Sequence, residues 1–257
     1  MNSLKDVTCI IKSFKRPQCV EDLYFSIREY YPDIDIVIVD DSDTDKFLSD
    51  KTFTAIKSDD NIQVKKLDFD VGLAAGRNAA VELVKTKYFV LLDDDFVFIP
   101  ETNLDRFLEA ITTSNADMIG GLLNEFGTIR SFCTIMNIKD NVLYDISGCY
   151  KEENGIGYSD KIYNFFIANT ESIRKMDGWD PQFKLCEHTE FFLRAKEHKL
   201  VVGCISDVII RHTVTRAPDY DRYRIRGRSF QKLAAQKYNY HTWVQKYNGN
   251  QPNIIKY

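Results

Sequence analysis

The chain has 257 residues, 44% of them hydrophobic and 28% charged, with a formal net charge of −4. This balance suits one large α/β domain or two small ones with a real core, and excludes a low-complexity or disordered chain. The acidic excess argues against a general nucleic-acid binder, and no run approaches the roughly 18 apolar residues of a membrane span.

Residues 7–11 read as a buried strand, followed by a polar loop that ends at Pro17. Val20, Leu23, Ile27 and Tyr30 then recur on one helical face, and Pro32 ends that helix. Residues 34–39 form a second strand that runs into Asp40 and Asp41, and residues 62–67 a third. Gly72 to Asn78 is a small-residue turn that opens a helix reaching about residue 84. Residues 88–92 are an apolar strand that leads straight into Asp93, Asp94 and Asp95 before β-prone sequence resumes. Alternating strands and helices predict a mainly parallel sheet flanked by helices, which places both acidic turns at one edge. Carboxylates there suit Mg²⁺ or Mn²⁺ and a phosphate-bearing substrate, whereas an isolated acidic turn is more often a solvated one.

Leu104, Phe107, Leu108 and Ile111 mark another amphipathic helix, and residues 117–123 another strand. Residues 128–147 predict antiparallel strands or hairpins, and residues 150–160 a polar loop. Residues 187–198 read as a helix, with 200–205 and 208–212 as closing strands. From residue 213 the composition turns basic and aromatic: Arg216, Arg222, Arg224, Arg226 and Arg228 alternate with Tyr220, Tyr223 and Phe230, and a helix begins near Ser229. The expected organisation is one domain over 1–212, with a nucleotide-binding half at 1–98 and an acceptor half at 99–212, followed by a partly helical extension at 213–257. The six Cys show no CxxC spacing, so they predict reduced thiols in a reducing compartment. Without a signal-peptide pattern, the expected location is cytoplasmic, with the basic C-terminal segment available for peripheral contact at the inner membrane face.

Several segments together carry a family. Val7 to Pro17, Ile36 to Ser42, Gly76-Arg77-Asn78 and Leu92 to Asp95 resemble the nucleotide-binding half of inverting glycosyltransferases with the GT-A fold. Ala75 to Asn78, Thr86 to Tyr88, Asp93 to Phe98, Asn164 to Phe166, His188 to Leu193, Ser206 to His212 and Tyr223 to Gly227 are similar, in matching order, to β-1,4-N-acetylgalactosaminyltransferases of the ganglioside GM2/GD2 synthase type. The resemblance implies transfer of GalNAc or another HexNAc from a UDP-sugar to a saccharide acceptor, with Mn²⁺ or Mg²⁺, and the lack of the membrane anchor and stem of those enzymes leads one to expect a soluble, bacterial-type relative.

The resemblance also implies site roles. Asp93, Asp95 and His212 hold the metal, while Asp93 and Asp94 lie at the nucleotide. Asp40 and Asp41 contact uracil or ribose, and Ser13, Phe14 and Arg16 line the base pocket. Arg77 and Asn78 offer donors to the nucleotide or pyrophosphate, and Trp179 and Asp180 lie beside the transferred sugar, with Asn164 and Phe165 as further lining. Inversion requires one general base, for which Glu187, His188 and Glu190 are the candidates, with Glu190 or His188 favoured. On a helix Glu187 and Glu190 share a face at i and i+3, where they would equally serve a helix N-terminus. Two other functions fit the acidic turns: a UDP-sugar-binding module without catalysis, and a sugar-nucleotide nucleotidyltransferase. The latter wants a Gly-rich phosphate loop, and residues 7–17 contain no Gly.

Overall fold

The computed structural model describes residues 3–44, 47–131, 133–215, 218–247 and 251–257. The first half runs β1 (Val7–Ser13), α1 (Pro17–Tyr30), β2 (Asp35–Asp40), α2 (Asp50–Ile56), β3 (Ile62–Lys66), α3 (Leu73–Leu83) and β4 (Tyr88–Asp93). β1 lies between β2 and β4, β3 pairs with the outer side of β2, and all four strands are parallel. Every residue of β1 is buried, as expected for a central parallel strand covered on both faces. The register places Ser13 beside Asp40 and Lys12 beside Asp93, so the acidic strand ends meet at one edge.

The second half continues with β5 (Phe96–Val97), α4 (Leu104–Thr113), β6 (Met118–Glu125), β7 (Thr128–Arg130), β8 (Thr134–Lys139), β9 (Val142–Ser147), β10 (Lys151–Glu153), β11 (Ile156–Ser159), β12 (Phe166–Asn169) and α5 (Thr170–Lys175). Then come α6 (Glu187–Glu197), β13 (Val202–His212), α7 (Pro218–Arg224), α8 (Gly227–Lys237), β14 (Thr242–Lys246) and β15 (Asn253–Lys256). The main sheet has the order β10-β11-β13-β6-β12-β4-β1-β2-β3. β12 is antiparallel to both β4 and β6, and β6 and β13 are parallel, so the sheet is mixed.

Strand alternation divides the core between two faces. Cys9 and Ile11 of β1 pack in one cluster with Leu23 and Ile27 of α1 and Phe107 of α4. Ile10 falls in the other cluster, with Ala80 of α3, Trp179, and Phe191 and Phe192 of α6.

Three features depart from the sequence reading. The two closing strands are one strand, β13, whose register with β6 shifts between Cys204 and Ile209. The polar loop at 150–160 contains the short strands β10 and β11. The region after His212 is also integral to the fold. Its strand β14 is hydrogen-bonded between β9 and β15 in a second sheet, β15-β14-β9-β8, and Trp243 is buried. Arg216 lies outside the described residues. Among the described residues no helix is long and apolar enough to cross a membrane.

Candidate active site

The ends of β1, β4, β6 and β13 and the start of α6 enclose a cavity of about 410 Å³. Its walls carry Lys12, Arg16, Arg77, Asp93, Asp94, Asp95, Glu125, Glu187, His188 and His212, and Tyr220 and Arg224 of α7 also face it. Carboxylates, cations and imidazole thus converge from segments far apart in the chain.

Arg16 stands where α1 begins. Pro17 occupies the first helical turn, and no side chain caps the helix. The fixed φ of proline suits that position, which leaves residue 16 available for another use. The guanidinium of Arg16 pairs with both oxygens of Asp94, with Nε to Oδ2 at 3.2 Å, and its Nη1 donates to Asp95 Oδ2 at 2.7 Å. Tyr220 covers the guanidinium with its ring centroid 4.2 Å away. Burial raises the Asp94 pKa despite the nearby cation. Burial acts in the same direction on Asp95, but the hydrogen bond from His212 and the charge of Arg16 outweigh it and bring that pKa down.

His212 ends β13 opposite Phe96 of β5, just past the Asp triplet. Its Nε2 lies 3.5 Å from Asp95 Oδ2, and its Nδ1 lies 2.8 Å from Glu125 Oε1. Glu125 ends β6 level with His212 in the register. Burial disfavours the imidazolium, but the two carboxylates overcome this and raise the His212 pKa.

A second chain of charges crosses the cavity. Arg77, on the first turns of α3, donates from Nη2 to Asp93 Oδ1 at 2.8 Å and from Nη1 to Glu187 Oε1. Glu187 opens α6 after Cys186, whose φ of 58° is left-handed. A non-glycine residue held there costs on the order of 1–3 kcal/mol, and such strain concentrates at functional sites. His188 also lines the cavity, with Nε2 2.7 Å from the Ile162 carbonyl oxygen, and burial pushes its pKa down to about 3.

Other expected site residues lie elsewhere. Glu190 is fully buried outside the cavity lining; its Oε1 accepts from Lys237 Nζ of α8 at 2.7 Å, and the same ammonium holds Asp180 at 2.7 Å. Asn78 donates to the Trp179 carbonyl oxygen at 2.7 Å and accepts from the Trp179 N–H at 2.8 Å, so it clamps a turn. Trp179 itself is core, stacked on Phe191 at 4.3 Å. Phe165 is core as well, whereas Asn164 lines the cavity. Ser13 is buried at the end of β1 and is not among the cavity-lining residues.

Asp40 is taken up locally, accepting from the Ser42 N–H at 2.8 Å and from Lys66 Nζ at 2.9 Å. Its neighbour Asp41 pairs with Lys12 and accepts from the Gly72 N–H at 2.8 Å. Asp41 and Phe14 line a smaller adjoining cavity with Tyr223 and Arg226. Tyr223 meets Phe14 edge-on at 5.0 Å.

Sequence reasoning passed over Lys12, Glu125 and Tyr163 as site residues, along with any definite place for Tyr220 and Arg224. Glu125 had a readable signal, an acid at the end of an apolar strand. The Arg/Tyr alternation flagged the C-terminal pair, but only the packing of α7 places them at the cavity.

The fold and this constellation define an α/β scaffold with a charged, enzyme-type cavity at the strand ends. The family described as Glycosyl transferase family 2 matches residues 8–175, and the chain belongs to it. Beta-1,4 N-acetylgalactosaminyltransferase 1 of Mus musculus is 31% identical over 242 residues, covering 86% of this chain and 43% of the relative. Beta-1,4 N-acetylgalactosaminyltransferase 2 of Mus musculus is 31% identical over 256 residues, covering 98% of this chain and 45% of the relative. The chain therefore spans less than half the length of these curated relatives. Among solved structures, S. aureus TarS 1-349 superposes with a TM-score of 0.62 at 16% identity, covering 90% of this chain and 64% of that one. The fold is GT-A, as the sequence motifs lead one to expect.

Proposed function

We propose that this chain transfers an N-acetylhexosamine, GalNAc in first place, from its UDP-sugar to a saccharide hydroxyl, with inversion, β-1,4 linkage and a divalent cation. Family membership and the names of the relatives support the class of reaction. The observation that carries the reading is the convergence of Asp95 and His212, 3.5 Å apart, in the same cavity as Asp93 and Glu187.

The residue types fit a cation, while among the described residues no group of three or more His, Cys, Asp or Glu is arranged to hold one. Glu125 on Nδ1 orients the His212 ring with Nε2 towards Asp95, the kind of outer contact that fixes a ligating imidazole. Asp93, Asp95 and His212 would hold the ion, a mixed oxygen and nitrogen set suited to Mn²⁺. When bound, the ion supplies charge neutralisation for a diphosphate leaving group. Lys12, Arg16 and Arg224 line the same cavity and are assigned to the phosphates, as donors that offset the charge that grows as the glycosidic bond breaks. Asp41 and Phe14 in the adjoining cavity are assigned to the uridine.

Among the candidate bases, Glu187 is preferred. It is a carboxylate in the cavity wall, held by Arg77, and it would take the proton of the acceptor hydroxyl as the oxygen attacks the anomeric carbon. Glu190 lies beneath α8, and His188, with its pKa near 3, is a weak base.

The test is UDP release from a panel of UDP-sugars with Mn²⁺, with and without EDTA, for the wild type and Asp95→Ala. Metal-dependent release that favours UDP-GalNAc and is lost in the variant is expected. UDP binding without turnover on any acceptor would favour the binding module, and absence of UDP binding would overturn the reading.

A further inference from the structure

Away from the active site, three thiols gather around one backbone glycine. Cys133 precedes β8, Cys149 follows β9, and Cys204 lies in β13, where it pairs in register with Gly157 of β11. A Cβ built on Gly157 would stand 3.6 Å from Cys204 Sγ and 3.7 Å from Cys149 Sγ. Cys133 Sγ lies 3.7 Å from the carbonyl oxygen of Gly157, the residue that Cys204 faces in register. The three line a separate cavity of about 440 Å³ with Ser131, Ser147 and Ser206, so small reagents can reach them. The sheet sets this meeting: Gly148 N–H donates to the Cys133 carbonyl at 2.9 Å, which draws the entry to β8 and the exit from β9 together beside β13.

We propose that Cys133 and Cys204 form a reversible disulfide, and that this pocket is a site of thiol oxidation by low-molecular-weight disulfides. Cys133 is the attacking group. The hydrogen bond from Cys204 lowers its pKa, against the opposing effect of burial, which favours the nucleophilic thiolate. Cys204, raised by the same hydrogen bond and by burial, is the resolving thiol. The Cys133 thiolate attacks one sulfur of glutathione disulfide. The S–S bond breaks, one glutathione thiolate leaves with the electron pair, and a mixed disulfide forms on Cys133. Cys204 gives its proton to solvent and attacks the Cys133 sulfur, which expels the second glutathione. Two protein thiols are oxidised and one glutathione disulfide is reduced to two thiols. Cys149 is exposed and its pKa is raised by burial and by Cys133, so it is not required. The bond would tie the small sheet to β13, the strand whose far end carries His212.

The three cysteines fall in different tryptic peptides, ending at Lys139, Lys151 and Arg211, so the connectivity is directly readable. The 257-residue chain is incubated with glutathione disulfide, alkylated and mapped by mass spectrometry without reduction. The expected product is the Cys133 peptide joined to the Cys204 peptide, formed equally in Cys149→Ser and cleaved by dithiothreitol. In Cys204→Ser the glutathione adduct should accumulate on Cys133. Buried Cys9 and Cys19 staying unmodified reports that each variant is folded. A link from Cys133 to Cys149, adducts on Cys149 alone, or full alkylation of both Cys133 and Cys204 would overturn the proposal.

Discussion

At the scale of single residues, the site depends on cations that each serve two acids. Arg77 spans Asp93 and Glu187 with one planar fork, which a lysine cannot reproduce. Glu187→Gln is expected to lower kcat for UDP-sugar transfer roughly 10²–10⁴-fold, as for loss of a general base, with little change in UDP affinity by calorimetry. Glu190→Gln should behave differently. It weakens the pairing with Lys237, lowering the thermal midpoint while leaving kcat within about tenfold. Equal kinetic losses in the two variants would remove the distinction between them.

His188 gives the pH prediction. Burial holds its pKa near 3 in the folded chain against 6.5 ordinarily, so the unfolded chain binds the extra proton. Stability from this residue is intact above pH 6.5 and is lost as the pH falls from 6.5 towards 3, at no more than about 1.4 kcal/mol per pH unit. His188→Gln removes that titration. Urea unfolding between pH 7 and pH 4 should therefore show the wild type losing stability faster than the variant, whereas parallel curves would exonerate His188.

At the scale of elements, the entry to α3 is a tight join. Gly72 has φ of +96° and donates its N–H to Asp41, and a Cβ there would lie 2.4 Å from Lys184 Cα. Backbone cannot yield as a flexible side chain would, and the left-handed φ adds strain. Gly72→Ala should destabilise by roughly 1–3 kcal/mol, read as a lower denaturant midpoint with an unchanged slope. The same substitution should weaken UDP binding, because it disturbs Asp41 beside the smaller cavity. Helix α6 makes the complementary case. Its first residue, Glu187, faces the cavity, while Glu190, one turn on, is paired beneath α8. A regular helix thereby assigns two similar acids to different surroundings.

At the scale of the whole molecule, the C-terminal segment closes both the core and the site. Ala234, Ala235, Tyr240 and Trp243 belong to the core cluster that contains Trp179 and Phe191, and α7 places Tyr220 over Arg16. Truncation after Lys237 would remove β14 and β15 and uncover the edge of β9. The expected result is loss of a cooperative thermal transition by circular dichroism, and a truncated chain that melts like the full one would show the small sheet to be dispensable.

Local pattern in the amino-acid sequence was enough for the strand-helix alternation, for the Asp93–Asp95 turn at a strand end, and for the ordered motifs of the family. Those features rest on side-chain period and on strand-end position, which neighbouring residues determine. The partnership of Arg77 with Glu187, of His212 with Glu125 and of Lys237 with Glu190 joins residues far apart in sequence, and no local period encodes it. The same holds for the parallel pairing of β14 with β9, which turned an expected basic extension into part of the fold. The sequence reading favoured Glu190 or His188 as base over Glu187. The packing of α8 against α6 gives Glu187 and Glu190 different surroundings, because the buried Glu190 takes a cation that comes from the far end of the chain.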